Sequence, residues 1–504
     1  MKNRYIITSI VLLIMPLLAS AQYLKGSYFL DNSINRHEMN PAFAPRANYF
    51  QVAGICNLGL GVTTNLLNVD TYLYPRNGEL LTFLHKDVSV KEFDKKLPKH
   101  MNLDADVNTT LLGFGFYTKQ KSFWTFDLDV VTSVDVDLPR DLFMFLKKGT
   151  GTSGESYNIG NVNAYAMAGV EATLGYSRII IDGLRAGVKA RFIAPLAYGG
   201  VNLENVRLNT GLDKWTVNTE GYAYTAMHGL RIRQEEPVEG ETASIMPSFE
   251  FNLDELIANK VLAGFGYSFD IGAEYELKIG NVIDAIRFSA AVTDLGQIHY
   301  NKEALSAYKT SGYLEWAGFQ NVTMDNYDFE AEIEKLTEDA EGLLNLEEME
   351  YAKSFTRSTM PRFYAGVEVP FFRNKLSLGL LYSSRLSHSY PRHELTASLN
   401  IKPAKTISLG FNWSFLNTVS TIGYILEFTP KVGPTFYIGA DYIPAQYMVT
   451  DLMNDAIGED VLSILNRFGL KGVPLPMSTR FNMNFGFAFN IGSKYVNPKK
   501  DKKK

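Results

Sequence analysis

Residues 262–279 read LAGFGYSFDIGAEYELKI. Every second residue is apolar: Ala263, Phe265, Tyr267, Phe269, Ile271, Ala273, Tyr275 and Leu277. The residues between them are Gly264, Gly266, Ser268, Asp270, Gly272, Glu274 and Glu276. A period of two is the signature of a strand with one greasy and one wet face. The run is too long for a soluble strand of about 5–6 residues and meets the 9–11 or so that a membrane-crossing strand needs. The same alternation governs 122–138, where Trp124, Phe126, Leu128 and Val130 oppose Thr125, Asp127 and Asp129. In 184–198, Leu184, Val188, Phe192 and Leu196 alternate with Arg185, Gly187, Lys189 and Arg191. Segments near 104–118, 161–177, 284–295, 361–370, 375–386, 393–402, 405–416, 420–430, 433–443 and 478–491 repeat it.

The connections alternate in length. Arg178–Gly183, Gly280–Ile283, Phe371–Asn374, Pro403-Ala404 and Lys431–Gly433 are tight, whereas 61–103, 139–160, 199–260, 301–360 and 444–477 are long excursions. Outer-membrane barrels have short periplasmic turns and long outer loops. This phase predicts an all-β fold, a transmembrane antiparallel up-and-down β-barrel over 47–491. It has about 14 strands, both ends in the periplasm and helical insertions in its outer loops. The excursion 199–260 leaves the strand count open, since 213–233 also looks extended. Residues 325–350 carry eleven acidic residues against Lys335, with Ile333, Leu336, Ala340, Leu343 and Leu344 at helical spacing. They are expected to form an acidic helix in an outer loop. Residues 452–468 also read as helical, with a stripe of Ile457, Val461, Leu462, Ile464 and Leu465.

Composition agrees. Of 504 residues, 28 are Tyr, 32 Phe and 40 Gly, with a formal charge of −5 and one cysteine, Cys56. The mean hydropathy of −0.08 is too low for a helical membrane bundle. The charge gives no footing for nucleic acid, and one cysteine gives none for a disulfide framework. Lys2 and Arg4, the apolar run Ile6–Leu18 and Ala19-Ser20-Ala21 read as a secretory signal peptide over 1–21. Export to the cell outer membrane is expected, with outer-membrane lipid and the barrel-assembly machinery as partners. Asn484-x-Gly486-x-x-Phe489-x-Ile491 is similar to the terminal-strand signal that this machinery reads. A basic periplasmic tail, 492–504, follows with Lys494, Lys499, Lys500, Lys502, Lys503 and Lys504.

Two short motifs carry a family likeness. Asn40-Pro41-Ala42 resembles the element before the first strand of fatty-acid-transporter-like outer-membrane barrels, which PorV/PorP-type secretion barrels also carry. Val292-Thr293-Asp294-Leu295-Gly296-Gln297-Ile298 resembles an element of a related Bacteroidota barrel family of unknown function (DUF5723-like). The resemblance implies a barrel of about 14 strands with an N-terminal segment near or inside the lumen. It implies no proven substrate.

No motif for catalysis, phosphate binding or a cofactor is present. His37-Glu38 and His393-Glu394 lack the second His of a zinc helix, and Gly151-Thr152-Ser153-Gly154 lacks nucleophile-elbow spacing. No enzymatic activity, metal or cofactor is expected. The phase instead turns Asp127, Asp129, Glu171, Arg185, Lys189, Arg191, Glu274, Glu276 and Arg287 into the periplasmic half of the lumen. Such charges must pair to be tolerated in a narrow interior. We expect a charge belt on which 22–46 docks as a plug through Arg36, His37, Glu38, Asn40, Pro41 and Arg46. A wide water-filled lumen is the alternative. The expected role is a channel or transporter for hydrophobic or amphipathic small molecules, with Pro195 as a candidate interruption of the wall. The alternatives are a non-enzymatic component of a Bacteroidota secretion or surface-attachment complex, and a secreted soluble β protein.

Overall fold

The computed structural model describes residues 24–52, 58–66, 68–76, 79–118, 122–149, 154–160, 162–211, 214–233, 248–252, 261–316, 346–349, 355–386, 391–416, 419–444, 447–450, 473–476 and 480–492. They form a closed antiparallel barrel of fourteen strands. The first strand is described in two pieces, Tyr49–Val52 and Leu58–Thr64. Both pieces pair with Met101–Tyr117 on one side and with the last strand, Arg480–Asn490, on the other. That double pairing closes the cylinder, so the wall has no edge. Lipid cannot satisfy a free N–H or C=O, and closure is the only way a sheet can cross it.

Alternation sorts each strand into two faces. On Gly264–Gly280, Phe265, Phe269 and Ile271 are 50%, 51% and 58% exposed, while Ser268 and Asp270 are 1% and 0% exposed. On the last strand, Phe485 and Phe489 face outward and Asn482, Asn484, Ala488 and Asn490 are buried. The apolar set therefore covers the outside, as a lipid-facing wall requires. Left in water, each of these large side chains would cost about 1.5–3 kcal/mol.

Short turns join strands at the end where the first strand begins and the last strand finishes. Asp182-Gly183 uses Gly183 at φ +82°, and the turn between Gly280 and Ile283 places Gly280 and Asn281 at positive φ, a conformation that Gly and Asn adopt most readily. At the turn after Phe371, Phe372, Arg373 and Asn374 are all left-handed without being glycine. The carboxylate of Asp284 accepts the N–H groups of Arg373 and Asn374 at 3.0 and 2.6 Å and holds that turn.

The other end is built up. Trp215–Ala226 pairs with Tyr198–Leu203 of the long strand Leu184–Leu203 and with Leu305–Trp316, so this part of the extended reading of 213–233 is a wall extension, while Leu230–Arg233 pairs with Ser248–Phe251 in a separate two-stranded sheet. Short helices Val90–Lys96 and Arg140–Lys148 stand in the excursions. The first is capped by the Ser89 hydroxyl, which accepts the Glu92 N–H. Phe93, Leu97, Met101, Met144, Tyr157 and Leu208 bury one another there as an outer core. One expectation is corrected. Leu346–Glu348, at the end of the expected acidic helix 325–350, is a strand paired with Tyr308–Thr310. The apolar stripe stops at Leu344, and the residues just past it pair with a neighbouring strand edge instead. Residues 325–345, the stripe 452–468, Cys56, the leader 1–21 and tail residues 493–504 lie outside the described residues.

A charge on the outer face should be costly. Phe269→Arg is expected to destabilise the folded barrel by about 2–4 kcal/mol, read as a lower temperature for the heat-dependent gel shift. An unchanged transition temperature would mean that this face does not meet lipid.

Candidate functional site

The N-terminal residues 24–48 do not lie beneath the barrel but inside it. They lack a periodic pattern and are organised by short 3₁₀ turns, Lys25–Ser27 and Asn35–Glu38. Tyr28, Leu30, Ile34, Met39 and Phe43 are all at or below 1% exposure. Tyr28, Phe29, Met39 and Phe43 pack with Ala291, Tyr364 and Leu381 of the wall.

The Asn-Pro-Ala element has a steric explanation. Gly187 and Gly272 sit directly opposite each other on neighbouring strands. A Cβ on Gly187 would strike the Pro41 carbonyl, and one on Gly272 would strike the Asn40 side-chain oxygen. The paired glycines are thus a socket for Asn40-Pro41. Asn40 Nδ2 donates to the Ala273 carbonyl at 3.2 Å, while its Oδ1 accepts the Ala42 N–H at 2.9 Å.

Around this segment the charges form levels. Near the short turns Asp31 is a hub. Arg46 reaches it at 2.7 Å, Arg287 and Lys402 at 3.1 Å, Arg36 at 3.6 Å, and Asn374 also donates to it. Burial opposes its ionisation, but Lys402, Arg287, Arg46 and Arg36 outweigh burial and hold it well below the usual carboxylate range. Arg287 also binds Glu276 at 2.8 Å and Glu368 at 3.0 Å. Arg36 lies 3.7 Å from Glu274 and stacks over Phe43. Arg185 donates to the Ser177 hydroxyl at 3.0 Å.

At mid-height Lys189 binds Glu38 at 2.6 Å. Burial opposes ionisation of Glu38 too, and Lys189, His37 and Arg191 hold it well below normal. Burial and Lys189 push His37 down, and its Nε2 meets the Tyr49 hydroxyl at 2.8 Å. Asp127 lies 3.9 Å from His37, and Asp129 accepts from the Thr110 hydroxyl at 2.7 Å. His37, Glu38 and Asp127 present ligand atoms within 4.8 Å of one another. Lys189 already supplies the positive charge there, which makes the trio an ion-pair cluster and a poor metal seat. Arg191 binds Glu171 at 3.1 Å, Asp270 at 3.4 Å and Asp294.

The Asp-Leu-Gly element explains that last contact. Asp294 is left-handed, φ +60°, at a register slip between the strands, and its N–H donates to Asp270 at 2.8 Å. Gly296 has no room for a Cβ, which would strike the Tyr267 carbonyl. The bulge aims the Asp294 carboxylate into the lumen.

Sequence reasoning missed a further level nearer the long loops. Arg385 forks onto Asp106 at 3.1 and 3.2 Å, and Arg392 binds Asp104, Asp135 at 3.2 Å and Asp137 at 3.3 Å. The inward phase of Asp104, Asp106, Asp135 and Asp137 was the available signal. Lys25, Glu394 and Tyr442 form another buried cluster. Nothing in the sequence marks Asp31 or Lys25 as partners of residues hundreds of positions away.

Between the mid-height and upper levels lies an inner chamber of about 140 Å³, with an outer vestibule of about 310 Å³ beside it. Both are lined by Tyr165, Tyr198, Arg357 and Ser358. Arg357 sits 3.5 Å over the Tyr165 ring and donates to the Tyr198 hydroxyl at 2.7 Å. Pro195 marks a seam in the wall. Up to Ile193 its strand pairs with Gly264–Gly280, and from Tyr198 it pairs with Trp215–Ala226. The register against the other neighbour slips at the same place.

Two outcomes follow. Gly272→Leu should expel Asn40-Pro41 from its socket and raise ion conductance in planar bilayers while the barrel stays folded; a silent variant would contradict the socket. Asp31→Asn should cost about 3–5 kcal/mol, because it leaves buried cations unpaired. Since the folded pKa of Asp31 is depressed, that difference from the parent should be constant from neutral pH down to about 4. It should then shrink as pH falls towards the folded value. A difference already lost at pH 6 would contradict the hub.

Comparison with known proteins gives one firm result. The chain matches the model of a family of unknown function (DUF5723) over residues 41–441. No curated protein matches it. Among solved structures it is similar to the Pseudomonas putida toluene transporter TodX, with TM-score 0.38 and 8% identity, covering 94% of this chain and 96% of that one. A Pseudomonas aeruginosa FadL homologue gives TM-score 0.32 and 11% identity, covering 91% and 94%. The ferric preacinetobactin receptor BauA from Acinetobacter baumannii gives 0.26 and 9%, covering 87% and 60%. Likenesses this distant carry no argument about the chain. The family match covers most of it, and the protein belongs to the DUF5723 family of unknown function.

Proposed function

We propose that this protein is a non-enzymatic barrel of the cell outer membrane, exported by a cleaved leader over 1–21, that passes small amphipathic molecules. In this reading residues 24–46 are a plug and the ion-pair levels are its seat. The observation that carries the proposal is the pair of lumen cavities above the filled, charged lower half. Their lining joins Tyr, Ile and Met side chains to arginines and carboxylates, which suits a molecule with an apolar body and a polar end. A hydrocarbon without a polar end would meet the charged levels unaided. The seam at Pro195, which has no N–H to give, is the place where such a molecule could leave sideways between strands.

A second reading, a component of a Bacteroidota secretion or surface-attachment complex, draws on the ordered outer core around Phe93, Met144 and Tyr157. Both readings are separated by one preparation. Protein extracted with its native lipid is expected to carry a bound amphipath detectable by mass spectrometry, and Ile193→Trp is expected to lose it. A stable protein partner with no small molecule would favour the second reading instead.

A further inference from the structure

Resting on the transport reading, we propose that the inner chamber binds a small oxyanion whose body is no larger than about one ring. The chamber's lining carries two buried donors without a partner among the described residues. Its carboxylates are already engaged: Glu171 and Asp294 by Arg191, and Asp106 by the fork of Arg385. These donors are the Tyr300 hydroxyl and the Arg385 Nε–H. Tyr300 is 1% exposed, and neither atom has a hydrogen-bond partner among the described residues. A buried polar group left unmade is costly, so these two positions favour a guest that accepts hydrogen bonds. A charged acceptor gains about twice what a neutral one does.

The body of the guest is set by the rest of the lining. Ile193 and Ile298 are buried beside Tyr198 and Tyr300, whose rings lie 4.9 Å apart. A dry cavity of roughly 150 Å³ holds a molecule the size of benzene, close to the 140 Å³ or so found here. Arg357 stands on the boundary with the vestibule, lining both spaces. Its positive charge where the two spaces meet favours an anion over a cation there.

Three probes with one ring and different ends test this: benzoate, benzyl alcohol and benzylammonium, titrated calorimetrically into the full-length detergent-solubilised barrel. Benzoate is expected to bind about tenfold or more tightly than benzyl alcohol, and benzylammonium more weakly than either. Tyr300→Phe, which keeps the ring, is expected to remove most of benzoate's advantage. Ile298→Phe, which fills the chamber, should abolish benzoate binding with unchanged heat-modifiable mobility. Equal binding of benzoate and benzyl alcohol, or an unaltered Tyr300→Phe, would overturn the assignment. If benzoate fails to bind a protein that still carries a native amphipath, this inference falls and the transport reading stands. If neither is found, both fall.

Discussion

The whole structure follows from the need to satisfy every backbone N–H and C=O inside a medium that offers none. A closed ladder does this, and closure fixes the rest. Each strand then has one face in lipid and one in the lumen, so every second residue is committed to the interior. Once inside, a carboxylate or guanidinium must find an opposite partner or pay heavily for its lost hydration. Several inward charges of the wall find their partners on the N-terminal segment. Asp31 draws in Arg287 and Lys402 from the wall, and Glu38 draws in Lys189.

The segment is held by shape as well as charge. Asn40-Pro41 fits where two facing glycines have no side chain, and the aromatic side chains of Tyr28, Phe29 and Phe43 pack edge to face above it. Ion pairs set its register and apolar contacts exclude water around them, which strengthens each pair. The cavities begin where this filling stops. Next to them lie the seam at Pro195 and the bulge at Asp294, two of the places where the regular pairing of the wall breaks.

The wall was legible in the sequence because alternation survives any change of residue that keeps the phase. The run from Phe265 to Leu277 fixes which side of its strand meets lipid without reference to any other strand. Inward charges such as Arg191 and Glu274 follow from the same phase. Several of the pairings do not, because Arg36 reaches Glu274 from a segment without periodicity, Asp294 reaches Arg191 from a left-handed bulge, and Arg385 reaches Asp106 from the far side of the lumen. The hairpin at Phe372–Asn374 was legible only as a short connection, since three left-handed residues other than glycine depend on Asp284 from another turn. The helices Val90–Lys96 and Arg140–Lys148 are too short to stand out from an irregular excursion. Leu346–Glu348 lies just past the helical stripe and pairs with an available strand edge, which the acidic run did not reveal.

The account rests on a polypeptide segment threaded through a lipid-embedded cylinder. An experimental map of the full-length protein in lipid nanodiscs, at side-chain resolution, tests it most directly. It should show residues 24–48 within the lower lumen, with Asn40 and Pro41 against Gly187 and Gly272 and four cations converging on Asp31. A cylinder with an open, water-filled lower half and the N-terminal segment lying outside it would contradict the account.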